Sequence, residues 1–432
     1  MKIRALNNAT TLISTPCHNL LLDPWLIGDL YYGSWSPYAS VKDLTFLQDV
    51  DSIFISHIHE DHWDLDTLSL LNRKKPIYIP QMRVNNVIEL KLKKLGFENI
   101  MQVGILEDFE ISENLTLRII PPLNSFGQEL GRYIDGYESN ATNIDTGLLV
   151  SDNISKTSHC FLFDNSPYDI KLLASSIGDK KISSFWYPHN GYAQDYPLCY
   201  ENIDSALKEK IHNQMIQKRI DVVKQSIDLI RPDVYLPHSA DFVINGQISK
   251  NFNLFAKKDF LDRYQTSQKY DFKDINASSD YLNYGDEMII DHSGYSIDRN
   301  VYEFNLNKSD ISYSARFNSS MVSIEDLKIS FENMLRRSRS YGVKLELLQT
   351  WAISIITNSL DIHFSFKNGV IKESDLDKYK LLSIKLNDSQ LSALLNREIH
   401  FNNASIGCLF SYTREPNEYC QEVYSSLNFF HL

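Results

Sequence analysis

The chain has 432 residues, of which 43% are apolar, 12% aromatic and 23% charged. At about 150 residues per domain, that length suggests two to three domains. The balance excludes a disordered, collagen-like or disulfide-scaffold protein. Lys and Arg number 43 against 55 Asp and Glu, a net charge of -12, and a nucleic-acid partner is not expected because phosphate binders carry a basic surplus. The richest apolar run, Leu345 to Ile356, is broken by Glu346, Gln349 and Thr350, so no membrane span is expected. The opening MKIRALNNATTLIST has neither an apolar core nor a small-residue cleavage site. It therefore does not read as a secretion signal. The five cysteines are scattered and form no CxxC pair, as in a cytoplasmic protein with reduced thiols.

Along the chain, short β-rich runs alternate with helical periodicity in the first half. Leu20 to Leu22, Ser52 to Ser56, Ile77 to Ile79, Leu115 to Ile120, Gly147 to Val150 and Cys160 to Phe163 read as strands. Helices are predicted over Asp66 to Asn72, Asn85 to Leu95 and Ile203 to Ile230, the last stopping before Pro232. Its Lys208, Lys210, Lys218 and Lys224 read as a solvated face. This alternation implies an α/β layered architecture over residues 1–250. Residues 251–300 read as an irregular connecting excursion, polar and rich in Tyr and Asp to about 285. Residues 301–432 read as a C-terminal α+β lobe, with helices at Ile324 to Arg339 and Ser389 to Leu395 and strands at Val301 to Phe304 and Ile362 to Phe366.

The strongest chemical signal is Ser56-His57-Ile58-His59-Glu60-Asp61-His62, directly after the apolar run Ser52 to Ile55. His57 and His59 are two apart at a strand end, so both imidazoles point to one side. Asp61 and His62 follow as the chain turns toward a helix. Imidazole nitrogen with carboxylate oxygen suits zinc, iron or manganese. A polar surface loop would give four such residues in this spacing only rarely.

This is an HxHxDH motif, and through it the chain resembles the metallo-β-lactamase superfamily. The resemblance implies an αββα sandwich with one or two divalent metal ions at an edge of the two sheets. It also implies a bridging aspartate at the end of a later strand, which points to Asp164, and a late histidine after another strand, which points to His238. The superfamily's third histidine for the first metal has no clear counterpart. His159 starts the strand that Asp164 ends, roughly 16 Å away along it. His189, in Trp186-Tyr187-Pro188-His189, is the other candidate, as a further ligand or a pocket residue.

Further blocks carry a narrower resemblance. Leu21-Leu22-Asp23-Pro24-Trp25-Leu26-Ile27-Gly28, the Asp145-Thr146 pair, the run from Gly191 ending in YPLCY, Arg231 to Phe242, and Gly407 to Tyr419 with its REPNEY ending occur in this order. Together they resemble the lactamase-like, non-Rieske portion of the CMP-N-acetylneuraminate hydroxylase family, weakly over 245–380. Asp23 ends a strand near the metal edge, where it could orient a ligand or hold the loop. Trp25 and Trp35 could wall the pocket, or pack a long loop. Two departures stand out. No Cys-x-His occurs, so no Rieske cluster is expected in this chain. Where the family tends to offer a histidine before Asp145, this chain has Ala141 or its neighbours.

Two chemistries fit one ligand set. In a metal-dependent hydrolase, Asp61 positions a metal-activated water and accepts its proton, with a phosphate-bearing or acidic sugar-like small molecule as substrate. In a non-haem iron oxygenase, a separate redox partner supplies the electrons. A degenerate, non-catalytic binding protein is the third reading.

Overall fold

A computed structural model describes residues 1–81, 86–123, 146–163, 169–188, 195–239, 242–245, 278–306, 317 and 321–432. The short apolar runs of the sequence pair into two sheets. One sheet has eight strands, in spatial order Gly294–Asp298, Glu287–Asp291, Lys2–Asn7, Thr10–Ser14, Asn19–Leu22, Ser52–Phe54, Ile77–Pro80 and Ile100–Val103. The other has seven: Ser278–Ser279, Val234–His238, Ser184–Pro188, Thr157–Phe161, Gly147–Asp152, Leu115–Ile120 and Asp108–Ser112.

The two-residue period of a strand sorts the side chains between layers. Leu20, Leu22 and Phe54 face inward and meet Leu117, Leu148, Val150, Phe161, Trp186 and Leu236 of the other sheet. Leu21, Ile53 and Ile55 face outward, where Leu68, Ile88 and Leu92 of the helices Leu65–Ser69 and Val87–Lys94 cover them. On the far side, Leu173, Ile177, Val223 and Ile227 of Ile170–Ile177 and Ser205–Ile230 cover Cys160, Phe185 and Tyr235. The order helix, sheet, sheet, helix is the metallo-β-lactamase-like αββα sandwich.

Parallel pairing decides where chemistry can gather. Thr157–Phe161, Ser184–Pro188 and Val234–His238 run parallel, as do Asn19–Leu22 and Ser52–Phe54, with Leu22 opposite Phe54. Their C-terminal ends therefore open at common rims.

Beyond the sandwich, an α+β lobe holds a five-stranded sheet ordered Gly369–Ile371, Asp361–Ser365, Trp351–Ile356, Lys380–Lys385 and Ser411–Glu415. Helix Ile324–Ser340, started by a reciprocal Ser323–Asp326 cap, packs on it. The lobe shares a core with Trp25, Tyr31, Trp35, Leu198 and Tyr200 of the sandwich.

Four sequence expectations need correction. The hairpin Glu287–Asp298 lies within the stretch read as an irregular excursion, yet it pairs with Lys2–Asn7 and extends the first sheet. Its outer strand alternates exposed and half-buried residues, so little apolar signal marks it. The strand placed at Val301 to Phe304 is Phe304–Leu306, because the Tyr302 amide bonds Gly285 O first. Lys208 is 8% exposed and donates from Nζ to Leu198 O at 3.1 Å, so it does not join Lys210 and Lys218 in solvent. The helix read from Asn85 runs Val87–Lys94 under an Asn86 cap, and residue 85 lies outside the described residues.

His159 is the middle residue of the strand Thr157–Phe161 rather than its start. Its Nδ1 lies 2.6 Å from Ser184 Oγ and its Nε2 3.0 Å from Thr157 Oγ1. Burial lowers its pKa to about 3, and burial lowers that of His400 to about 4. An unfolded histidine titrates near 6.5, so between about 6.5 and 3 the unfolded chain binds more protons and stability falls as pH falls. Denaturant midpoints at pH 7 and pH 4.5 should show this loss, and His159→Gln should reduce it. An equal loss in the variant would remove His159 from the account.

Candidate metal centre

Asp23 follows the strand Asn19–Leu22 with φ of +43°. Its amide bonds Phe54 O at 2.9 Å, which sets the end of one strand against the end of its neighbour. The carboxylate, fully buried, then takes three hydrogen bonds. Ser56 N donates to Oδ1 at 2.7 Å, Ser56 Oγ donates to Oδ2 at 2.7 Å, and His62 Nδ1 lies 2.8 Å from Oδ2.

The Ser56 hydroxyl has one proton and gives it to Asp23, so at 2.8 Å it accepts from His57 Nδ1. Both histidines thus carry a proton on Nδ1, outward, and turn Nε2 inward. His57 Nε2 lies 2.9 Å from His59 Nδ1. His62 Nε2 lies 3.3 Å from Asp61 Oδ2, and the His57 and His62 rings are 4.1 Å apart. One outer nitrogen is tied to the Asp23 carboxylate and the other to the serine hydroxyl that this carboxylate holds, with the inner nitrogens left together: this is how metal-binding histidines are oriented.

Asp61 is held as firmly. Tyr31 OH donates to Oδ1 at 2.7 Å and Asn8 Nδ2 to Oδ2 at 3.0 Å. Burial alone would raise its pKa, but His62, His59 and Tyr31 hold it well below the usual carboxylate range. Burial alone would lower His62, yet Asp61 and Asp23 hold it well above an ordinary imidazole. Burial, with His62 and His59 nearby, keeps His57 neutral by lowering its pKa far below the ordinary value. Glu60, inside the motif, points away from the histidines. Its Oε2 accepts from Tyr31 N at 2.8 Å and its Oε1 from Asn403 Nδ2 of the C-terminal lobe at 3.0 Å.

The second sheet reaches the same rim. Thr146 Oγ1, just before Gly147–Asp152, donates to Ser56 O at 2.5 Å. His238 ends its strand buried, its ring 5.7 Å from Trp186 and 6.1 Å from Phe163. Phe163 in turn lies 6.2 Å from His62, so both imidazoles pack edge-on against one phenyl ring. Asp164, His189, Asp145 and Ala141 lie outside the described residues. Trp25 and Trp35 are buried in the core shared with the lobe. Trp25 bonds Gly28 O through its indole N–H, and Trp35 stacks on Phe242 at 3.7 Å, which is loop packing rather than an open wall.

The donor chemistry fits a divalent ion. Two nitrogens bound to one zinc sit about 3.3 Å apart, and the 2.9 Å between His57 and His59 is a hydrogen bond in its place. Among the described residues, no three His, Cys, Asp or Glu side chains are grouped to hold a metal by themselves. Tyr31, Asn8, Ser56 and Asn403 were not foreseen; only Ser56, beside the motif, carried a sequence signal.

No family model matches the chain. It is 37% identical over 240 residues to the cytidine monophosphate-N-acetylneuraminic acid hydroxylase of Danio rerio, a match covering 52% of this chain and 35% of that protein. It is 27% identical over 232 residues to a Mycolicibacterium smegmatis protein that carries the designation Rieske 2Fe-2S iron-sulfur protein, covering 52% of this chain and 41% of that one. The matches thus span well under half the length of these relatives. Among solved structures, an isothiocyanate hydrolase from Delia radicum gut bacteria aligns with a TM-score of 0.44 and 15% identity, over 68% of this chain and 100% of that one.

Proposed function

We propose that the chain is a metal-dependent hydrolase acting on a phosphate-bearing or acidic sugar-like small molecule. The observation that carries this reading is the Asp23–Ser56 relay, which fixes Nδ1 of His57 and His62 and leaves their Nε2 atoms facing His59 and Asp61. On this reading His57, His59, Asp61 and His62 hold the metal, with Asp164 and His238 supplied by the second sheet and His189 as a further ligand or pocket residue. A divalent ion supplies Lewis acidity and lowers the pKa of water. Asp61, aligned by Tyr31 and Asn8, is the group that takes up a proton at Oδ2. Asp23 keeps His62 oriented throughout. No helix among the described residues is long and apolar enough to cross a membrane, and free cysteines accord with a cytoplasmic setting.

A second reading, a non-haem iron oxygenase with a separate redox partner, is supported by the 37% identity to a hydroxylase. Metal analysis of protein purified without added metal separates the two. Bound zinc or manganese with turnover of bis(p-nitrophenyl) phosphate is the expected result. Stoichiometric iron with a Mössbauer signal would instead favour the oxygenase. Chelation should lower the melting temperature, because a ligand of the native state is linked to folding. No metal and no change on chelation would leave the binding-protein reading.

A further inference from the structure

Two sequence blocks take no part in the histidine cluster: Tyr196-Pro197-Leu198-Cys199-Tyr200 and Arg414-Glu415-Pro416-Asn417-Glu418-Tyr419. They meet in space. Tyr412 N bonds Cys199 O and Glu201 N bonds Tyr412 O, each at 2.8 Å, and Asn202 Nδ2 bonds Arg414 O at 2.9 Å. Where they meet is a cleft of about 530 Å³, within the range of small-molecule sites.

Arg414 lies in its wall, 3% exposed. Its guanidinium carbon is 4.8 Å from the Tyr196 ring centre and 5.0 Å from that of Tyr200. Nη1 bonds Tyr424 OH at 3.2 Å and Nη2 bonds Asn417 Oδ1 at 2.8 Å, both neutral. Nε is buried with no hydrogen-bond partner among the described residues. Three more lining groups share that condition: Asn402 Nδ2, Ser425 Oγ and Asn428 Oδ1. Buried polar atoms are ordinarily paired, and four unpaired around one cleft form a ready set of donors and acceptors. Asp195, the acid in the lining, is already engaged by Ser405 Oγ at 2.5 Å and Tyr196 N at 2.7 Å, and burial raises its pKa. Tyr419, 54% exposed, stacks on Tyr424.

We infer that this cleft binds a small ring-bearing carboxylate that also carries a hydroxyl group. The carboxylate meets Arg414 Nε–H and Asn402 Nδ2–H, a charge-assisted pairing that guanidinium geometry favours. The hydroxyl donates to Asn428 Oδ1, and the ring lies against tyrosine. The inference does not depend on metal chemistry.

The test uses the full chain and calorimetric titration with 4-hydroxybenzoate, 4-hydroxybenzamide, benzoate and phenyl phosphate. The carboxylate should bind at least about tenfold more tightly than its neutral amide, and more tightly than benzoate. Phenyl phosphate binding more tightly than either would overturn the choice of carboxylate. Arg414→Lys keeps the charge but loses the Nε–H, and Asn402→Asp, on a half-buried residue, places a negative charge against the ligand; each should weaken binding about tenfold. His59→Ala should bind as the unaltered protein does, so that loss of the metal centre and loss of this site are told apart. Equal affinity for the acid and amide, or unchanged affinity in both cleft variants, overturns the inference.

Discussion

Asp23→Ala should cost about 3–5 kcal/mol of folding stability, the range for removing one partner of a buried, charged and hydrogen-bonded group. Three donors converge on that carboxylate, and none reaches water when it is gone. The backbone adds to the cost, since φ of +43° suits Asp or Asn better than Ala. Asp23→Asn separates the contributions. It keeps the shape and tolerates the left-handed backbone, but of the two carboxylate charges, Asp61 and Asp23, that hold His62 above an ordinary imidazole, it removes the second. It should therefore be the milder change in stability while still weakening metal binding about 10–100-fold, as loss of an orienting partner does. Urea unfolding and metal titration measure the two effects. An Asp23→Ala protein within about 1 kcal/mol of the parent would remove Asp23 from the centre of the site.

His59→Ala is the second large effect, and it falls on binding rather than folding. His59 is only partly buried, and its Nδ1 lies 2.9 Å from His57 Nε2. The metal-free variant should melt close to the parent. If His59 is a ligand, metal affinity should drop by more than the 10–100-fold typical of outer partners, and hydrolysis should fall with it. Full metal content in purified His59→Ala would exclude it from the coordination sphere. His57→Ala cannot give so clean an answer, because His57 is wholly buried against Ser56 and its loss also opens a cavity.

The layered fold was legible because strand and helix periods differ and each surfaces in the sequence as apolar spacing. Leu20, Leu21 and Leu22 form a continuous apolar run because both faces of their sheet are covered. The hairpin at Glu287–Asp298 was not legible for the converse reason: one of its strands lies at an open edge, where polar residues serve as well. Within the candidate site, the histidines and Asp23 stand out as residue types at strand ends. Tyr31 and Asn8 do not, since a tyrosine or asparagine in a loop gains its role only from where the loop closes. Asn403, hundreds of residues from Glu60, is beyond any local pattern.

The short helix Phe401–Ile406 is a party wall. Asn402 and Ser405 look into the tyrosine cleft, while Asn403 grips Glu60 of the histidine turn. A segment of six residues with business on both sides has little room to move for one without disturbing the other. Cutting the lobe away would strip Glu60 of its outer brace, so the sandwich alone is not a faithful miniature of the whole.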